Sequence, residues 1–323
     1  MKMAPIKLGF LIIFALAITI SADDDDDDQP LCPDFYEKSC PQALPTIKRV
    51  VEEALHQEKR IGASLLRLHF HDCFVHGCDA SILLDSTPEF QSEKFAIPNN
   101  NSIRGFEVVD QIKSAVDQVC GAPVVSCADI LAVAARDSVV GLGGQSWEVL
   151  LGRRDSTSAY IDEANRDIPP PFLDLPQLVT NFANKGLDVN DLVVLSGGHT
   201  IGFSQCTAFR AHIYNDSNID PGFRRQLQEL CPQSGGDTNL FPLDATPAVT
   251  DTNYFSNIIA EKGLLHSDQE LFNSTETKHL VTFFSHNLEA FAKAFAISMV
   301  KMGNIMPLTG ESGQIRHNCR VVN

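Results

Sequence analysis

Basic residues are scarce in this chain: 25 Lys and Arg stand against 41 Asp and Glu in 323 residues, a formal net charge of −16. Phosphate backbones are held by lysine and arginine, so nucleic acid is excluded as a partner. A long apolar run is also missing. The stretch from Leu8 to Ile20 would span only about 20 Å as a helix, short of a bilayer core of about 30 Å. No membrane partner is expected. Strand-type alternation is nearly absent, and there is no internal repeat and no linker that demands a second domain. Charged residues at 20% against 44% hydrophobic leave enough apolar side chain for a sizeable core, which rules out global disorder.

Several features point to export. Lys2 and Lys7 precede the apolar run, and Ser21-Ala22 follows it, the pattern of a secretory signal peptide over residues 1–22. Asp23–Asp28 reads as a solvated acidic tether, and residues 29–323 as the folded domain. Nine cysteines suit a disulfide-permissive compartment, as do the acceptor triplets that open at Asn100, Asn215 and Asn273.

Helical spacing dominates the rest. Ile47, Val50, Val51, Ala54 and Leu55 share one face, as do Val108, Ile112, Ala115, Val116 and Val119. Ser126 and Asp129 form a capping box ahead of Ile130. Leu175, Leu178, Val179 and Phe182 make another face that Gly186 is expected to close. Leu288, Phe291, Ala292, Phe295, Ala296 and Met299 form a long one near the end. The fold class is therefore mostly α.

Three segments carry chemistry. In a helix from Gly62 to Cys73, Arg67 and His71 lie four apart on one face, with Phe70 beside His71 and His69 pointing elsewhere. A fixed cation and a titratable base in one pocket suit proton transfer coupled to developing negative charge. A zinc pair of His69 and His71 is disfavoured, because those side chains diverge by about 200°. Asp72, Asp79 and Ser81 around the short loop between Cys73 and Cys78 offer oxygen donors to a hard cation such as Ca²⁺. His76 in that loop is read as an exposed residue. Gly197-Gly198-His199-Thr200-Ile201-Gly202 places a histidine after glycines that allow close approach to the backbone.

Arg67-x-x-x-His71-Asp72-Cys73 followed by Gly197-Gly198-His199-Thr200-x-Gly202 closely resembles the secreted plant (class III) haem peroxidases. The likeness runs from Phe35 to Asn323 through Gly105–Val108, Val125–Asp129, Leu151–Asp155, Ser267–Phe272 and Ile315–Cys319. It implies two helical lobes enclosing haem b and an enzyme that uses hydrogen peroxide to oxidise small phenolic donors in one-electron steps. Removal of hydrogen peroxide, lignin- or suberin-type phenol oxidation and stress response come with it. So does a secreted monomer of the cell wall or vacuole. His199 would be the axial iron ligand and Asp268 the acceptor of its Nδ1–H. His71 would be the base, Arg67 the stabilising cation and Asn99 the partner of His71 Nδ1–H. Glu93 would support Asn99, Phe70 would line the haem pocket, and Pro169 would hold the donor at its edge.

The resemblance also implies two Ca²⁺ ions. The distal one maps onto Asp72, Val75, Gly77, Asp79 and Ser81, the proximal one onto Thr200, Asp244, Thr246, Val249 and Asp251. Asp244 stands two residues before Thr246 where the family pattern has three, and Thr250 and Thr252 replace Phe and Asn. The shortened loop leads to the expectation that Asp244 reaches the ion with strain or not at all, and that the two sites are unequal. Four bridges are implied, Cys40–Cys120, Cys73–Cys78, Cys127–Cys319 and Cys206–Cys231, leaving Cys32 as a free thiol or for an intermolecular link. Two other readings compete. A catalytically silent calcium- or wall-binding relative would be free to lose Arg67, His71, His199 and Asp268, and a zinc hydrolase would leave the Arg67–His71 face unused.

Overall fold

The structure, a computed structural model, describes Met1 and residues 30–323. Apart from Met1, the expected signal peptide and acidic run lie outside the described residues. Thirteen α-helices build the described chain. α1 (Ala43–Gln57), α2 (Ile61–Cys73), α3 (Phe106–Cys120) and α4 (Cys127–Gly141) form one group. α5 (Ile161–Asp167), α6 (Leu175–Ala183) and α7 (Val189–Ser196) follow, then α8 (Cys206–Asn215) and α9 (Pro221–Leu230). α10 (Asn253–Ile259), α11 (His266–Glu270), α12 (Thr275–Ser285) and α13 (Leu288–Gly303) complete the set. The strands named among the described residues, β1 (Phe203–Gln205) and β2 (Leu240–Pro242), pair antiparallel with Phe203 opposite Pro242.

The apolar stripes account for most of the packing. Ile47, Val50, Val51 and Leu55 of α1 are buried against α3 and α4, while α2 runs along α4. The stripe on α3 departs from expectation at its end. Val119 is exposed, and Val109 and Lys113 are buried instead. Lys113 can enter because its ammonium donates to the Val125 carbonyl at 2.9 Å and pairs with Asp117 at 3.0 Å. On α13, Phe291, Phe295 and Met299 point inward and Leu288 faces solvent. Helix α4 starts at Ser126, whose hydroxyl accepts from Asp129 N at 3.1 Å. Helix α6 is capped at Asn184, and Gly186 takes its left-handed turn (φ 74°) two residues later, not at the cap itself.

One continuous core runs through α1–α4, α6, α7, α10, α12 and α13. A smaller cluster of Cys206, Phe209, Ile213, Ile219, Leu227, Cys231, Leu264 and Leu265 ties α8 and α9 to the start of α11. Four disulfides, Cys40–Cys120, Cys73–Cys78, Cys127–Cys319 and Cys206–Cys231, cross-link the chain, and Cys32 is free and half-buried. Cys127–Cys319 spans a sequence separation of 192 and constrains the unfolded chain most.

The start of α4 is locked by a buried ion pair. Asp129 accepts from Arg153 Nη1 at 2.8 Å, Tyr36 Oη at 2.7 Å and Gly152 N at 2.7 Å. Arg153 also donates to the Gly303 carbonyl at the end of α13. Removing one partner strands the other charge in the core, so Asp129→Ala is expected to cost about 3–5 kcal/mol of unfolding free energy. Chemical denaturation of the variant beside the parent reads this directly. A loss below about 1 kcal/mol would show that the pair does not hold the helices.

Candidate active site

Helix α2 carries the reactive face. Arg67 Nε donates to His71 Nε2 at 3.0 Å, the contact that an i, i+4 pair on one face allows. The guanidinium is aimed by a loop: Nη1 donates to the Ser102 carbonyl, and Nη2 to the Pro98 carbonyl and Ser102 Oγ. Burial, with a smaller push from Arg60, pulls Arg67 down to about 10, so it stays charged at neutral pH. His71 is buried, and its Nδ1 lies 2.5 Å from Asn99 Oδ1. Asn99 Nδ2 donates to the Glu93 carbonyl at 2.8 Å, which settles the amide orientation and leaves Oδ1 as an acceptor. Nδ1 therefore carries the hydrogen and Nε2 the lone pair. Burial first, and then the Arg67 charge, hold His71 well below the ordinary histidine value, while Asn99 works in the other direction. A neutral imidazole whose Nε2 lone pair is held only by the Arg67 Nε–H is equipped to take a proton once that donor moves aside. Phe70 packs edge-on against His71 with ring centroids 5.1 Å apart.

His69 faces the opposite side. Its ring lies near Cys73 Sγ, and burial with the Arg153 charge pushes it down to about 3.

His199 sits in the 3-10 turn Gly197–Thr200 that continues α7. Its Nδ1 is 2.7 Å from Asp268 Oδ1, which also accepts from Tyr254 Oη at 2.9 Å. Asp268 Oδ2 accepts from Leu265 N at 3.1 Å. The ring is 38% exposed, and among the described residues Nε2 has no protein partner. Of the preceding glycines, Gly197 is closed off: a Cβ there would meet the Phe291 ring at 2.6 Å. Gly198 instead faces Leu66 of α2 and Phe295 of α13 at ordinary contact distance. The half-exposed imidazole thus keeps its ligating nitrogen free next to a glycine that α2 and α13 face, and it fits an iron held there.

The loop after α2 holds a second constellation. Asp72, Asp79, Ser81 and Glu93 are buried, yet Asp72 Oδ1, Asp79 Oδ2, Ser81 Oγ and Glu93 Oε2 have no hydrogen-bond partner. Burial is the first cause that raises all three acids: Asp72 goes well above its ordinary value, Asp79 to about 6 and Glu93 to about 8. Buried Arg316 lies nearby: its main-chain N–H bonds Asp155 and its Nη2 the Ala80 carbonyl, while Nε and Nη1 make no hydrogen bond and leave its charge shared among Asp155, Asp72 and Asp79. Three acids against one shared cation, with orphaned oxygens, fit a hard divalent ion. Val75 and Gly77 complete the loop. Gly77 adopts φ 117°, and a Cβ there would collide with the Met306 carbonyl at 2.3 Å. Glu93 reaches Asn99 through its main-chain carbonyl, while its carboxyl accepts from Tyr160 N and belongs with these acids.

A third cluster gathers about Thr200. Its Oγ1 lies 3.3 Å from Asp244 Oδ2, from the Val249 carbonyl and from Asp251 Oδ1. Thr246 Oγ1 bridges Asp244 Oδ1 and Asp251 Oδ2 at 3.2 and 2.8 Å. Despite the shortened loop, Asp244 lies within this cluster. Thr246 N donates to Asp244 Oδ1 at 2.6 Å, and this tight turn swings the carboxylate inward. Burial, reinforced by Asp251, lifts Asp244 to about 6.

Pro169 is half-buried in the segment between α5 and α6, and among the described residues no hydrogen bond reaches its carbonyl. Sequence reasoning missed Tyr254, which shares Asp268 with His199, and Ser102, which aims Arg67. Neither carries a signal in one sequence, since a tyrosine three residues past Asp251 and a serine after an asparagine run have many other uses.

A family model described as Peroxidase matches residues 47–287. Peroxidase RIP1 of Medicago truncatula is 59% identical over 309 residues, covering 94% of this chain and 95% of its own. Peroxidase 70 of Zea mays is 58% identical, covering 91% and 92%. The lignin-forming anionic peroxidase of Nicotiana sylvestris is 52% identical and covers 91% of each.

Proposed function

The chain belongs to the plant (class III) peroxidase family, and on that premise we propose that it is a haem enzyme oxidising phenolic donors with hydrogen peroxide. The observation that carries the reading is the pairing of a neutral His71, whose Nε2 accepts only from Arg67, with a half-exposed His199 whose Nδ1 is held by Asp268. His199 Nε2 would hold the iron, and Gly198, Leu66 and Phe295 would flank the porphyrin. When bound, haem supplies the redox-active iron that peroxide meets and that donors re-reduce.

The chain's own contribution is proton handling. His71 Nε2 takes the proton from the near oxygen of hydrogen peroxide and returns it to the departing one. For that, the peroxide O–H displaces Arg67 Nε–H from Nε2, and the guanidinium turns to the oxygen on which charge grows. Asn99 keeps the second hydrogen on Nδ1 throughout. Asp268, accepting from His199 and Tyr254, makes the His199 ring a stronger electron donor. The unpaired Pro169 carbonyl is suited to accept from a phenol hydroxyl.

Asp72, Val75, Gly77, Asp79 and Ser81 would hold one calcium, and Thr200, Asp244, Thr246, Val249 and Asp251 another, each supporting a histidine on its own chain segment. Residues 1–22 would be the removed signal, 23–28 a tether and 29–323 the enzyme domain. Secretion to the cell wall or vacuole agrees with the four disulfides, and among the described residues no helix is long and apolar enough to cross a membrane. A monomer is proposed. The likeness to the lignin-forming anionic peroxidase of Nicotiana sylvestris favours a lignin-type phenol as donor for this acidic chain.

The deciding experiment is an absorption spectrum of the purified protein before and after hydrogen peroxide, followed by phenol turnover. His71→Leu is expected to keep the haem and slow the peroxide reaction at least 10²–10⁴-fold. His199→Ala is expected to lose haem. Full occupancy with an unchanged resting spectrum in that variant would end the assignment.

The pH limb tests the base. Because the His71 proton affinity is depressed, the peroxide reaction should lose rate only well below pH 6.5. Asn99→Asp places a carboxylate on Nδ1, favours the imidazolium and should move that limb upward. An unmoved limb would show that another group titrates.

Calcium should compete with protons. Carboxyls raised to about 6 at Asp79 and Asp244 bind protons more tightly folded than unfolded. Their contribution in the stripped protein therefore falls as pH rises from about 4 through 6. Added calcium should thus raise Tm more at pH 7 than at pH 5. Scanning calorimetry with an equal gain at both values would contradict it.

A further inference from the structure

Outside the reactive site, two histidines and an aspartate meet where α8 ends and α11 begins. His212 is buried on α8, Asp216 caps that helix, and His266 opens α11. His212 Nε2 lies 3.2 Å from the Gly263 carbonyl, and its Nδ1 is 2.5 Å from Asp216 Oδ2. His266 Nδ1 is 2.6 Å from that same Oδ2, and its Nε2 is 3.0 Å from Asp174 Oδ1. All four ring nitrogens face oxygens that only accept. Two neutral imidazoles bring two hydrogens, not four. With Nε2–H committed to Gly263 and Asp174, neither Nδ1 has a hydrogen left for the one carboxylate oxygen that both face, unless a further proton charges a ring; against the pull of burial, Asp216 and Asp174 raise His266 in that direction. Lone pairs do not converge on an anion unless a positive charge lies between them.

We propose that His212 Nδ1, His266 Nδ1 and Asp216 Oδ2 bind a divalent transition-metal ion, with zinc as the probe and water completing a tetrahedron. One such ion answers both lone pairs and the carboxylate together. Two imidazoles and a carboxylate are a zinc donor set, whereas Ca²⁺ takes oxygen alone. Ligating histidines commonly give their other N–H to a carbonyl or carboxylate, the parts that Gly263 and Asp174 play. The three donor atoms lie within 4.8 Å of one another. Tetrahedral donors stand roughly 3.3 Å apart, so the two short contacts open by somewhat under 1 Å. Asp216 and His266 have side chains 22% and 19% exposed, which gives an entry path and room for water. The site does not depend on the peroxidase reading and lies apart from both calcium clusters. It clamps α8 to α11, whose Asp268 sits two residues beyond His266.

Calorimetric titration of the full haem-loaded, calcium-saturated protein with zinc chloride at pH 7.5 tests this, after removal of adventitious transition metals. One zinc per chain at micromolar or tighter affinity is expected, weakening at least tenfold at pH 5.5 as the imidazoles protonate. His266→Gln and Asp216→Asn should each lose 100-fold or more, Asp174→Asn about tenfold, and exposed His279→Gln nothing. Absence of a site tighter than about 100 µM, or equal affinity in His266→Gln and Asp216→Asn, overturns the proposal. Should either variant fail to fold, zinc-edge X-ray absorption on the parent decides: two imidazole donors support the site, and an all-oxygen shell removes it.

Discussion

Burying a carboxylate without a partner costs more than any single packing contact returns, and most of this fold is arranged around that cost. Asp129 is answered by Arg153, Tyr36 and Gly152 N, and this ties the start of α4 to the end of α13. Asp155 is answered by Ala128 N and Arg316, and this holds the C-terminal segment against α4. Asp268 is answered by His199, Tyr254 and Leu265 N. The three acids beside the Cys73–Cys78 loop are the exception. Protein groups leave their oxygens incomplete, so the same rule that explains the ion pairs elsewhere points to a cation there.

The two histidines obey opposite electrostatic demands. His71 must stay unprotonated to accept a proton, and burial beside a permanent cation enforces that. As the proposed iron ligand, His199 would need to be electron-rich, and a buried carboxylate on its Nδ1 would supply the density. An amide on one ring and a carboxylate on the other divide the roles. Asn99 fixes a tautomer without adding charge, whereas Asp268 fixes a tautomer and adds charge.

Much of this was legible in the sequence because it is local. Arg67 and His71 are four apart on a helix, so their contact follows from helical pitch. The apolar faces of α1 and α6 follow from the same period. Long-range partners were legible only through the family resemblance. Nothing near His199 in the chain names Asp268, and the pairing of Cys127 with Cys319 is one of many possible. The misses have physical causes. Val119 turned outward at a helix end where Lys113, satisfied by a carbonyl and an acid, took the inner position. Asp244, expected to reach an ion with strain or not at all, lies in the cluster about Thr200, because counting residues measures chain length and not the direction a turn gives.

That last case bears on how a shortened loop keeps its carboxylate in place. Deleting a residue between two ligands removes about 3.3–3.6 Å of extended reach. A loop that ran straight from Asp244 to Thr246 would lose the geometry. This one is not extended: Thr246 N bonds back to Asp244 Oδ1, and Val249 N bonds back to the Thr246 carbonyl, so the segment already turns twice within six residues. In a folded-back segment, chain length is slack and the hydrogen bonds set where the carboxylate points. The ends are pinned independently, by Leu243 N on the Gly202 carbonyl, Gly202 N on the Pro247 carbonyl and Thr250 N on the Leu142 carbonyl. The cluster about Thr200 is thus held by its anchors to α4 and to the turn beyond His199, and the number of residues between its ligands can vary while those anchors remain.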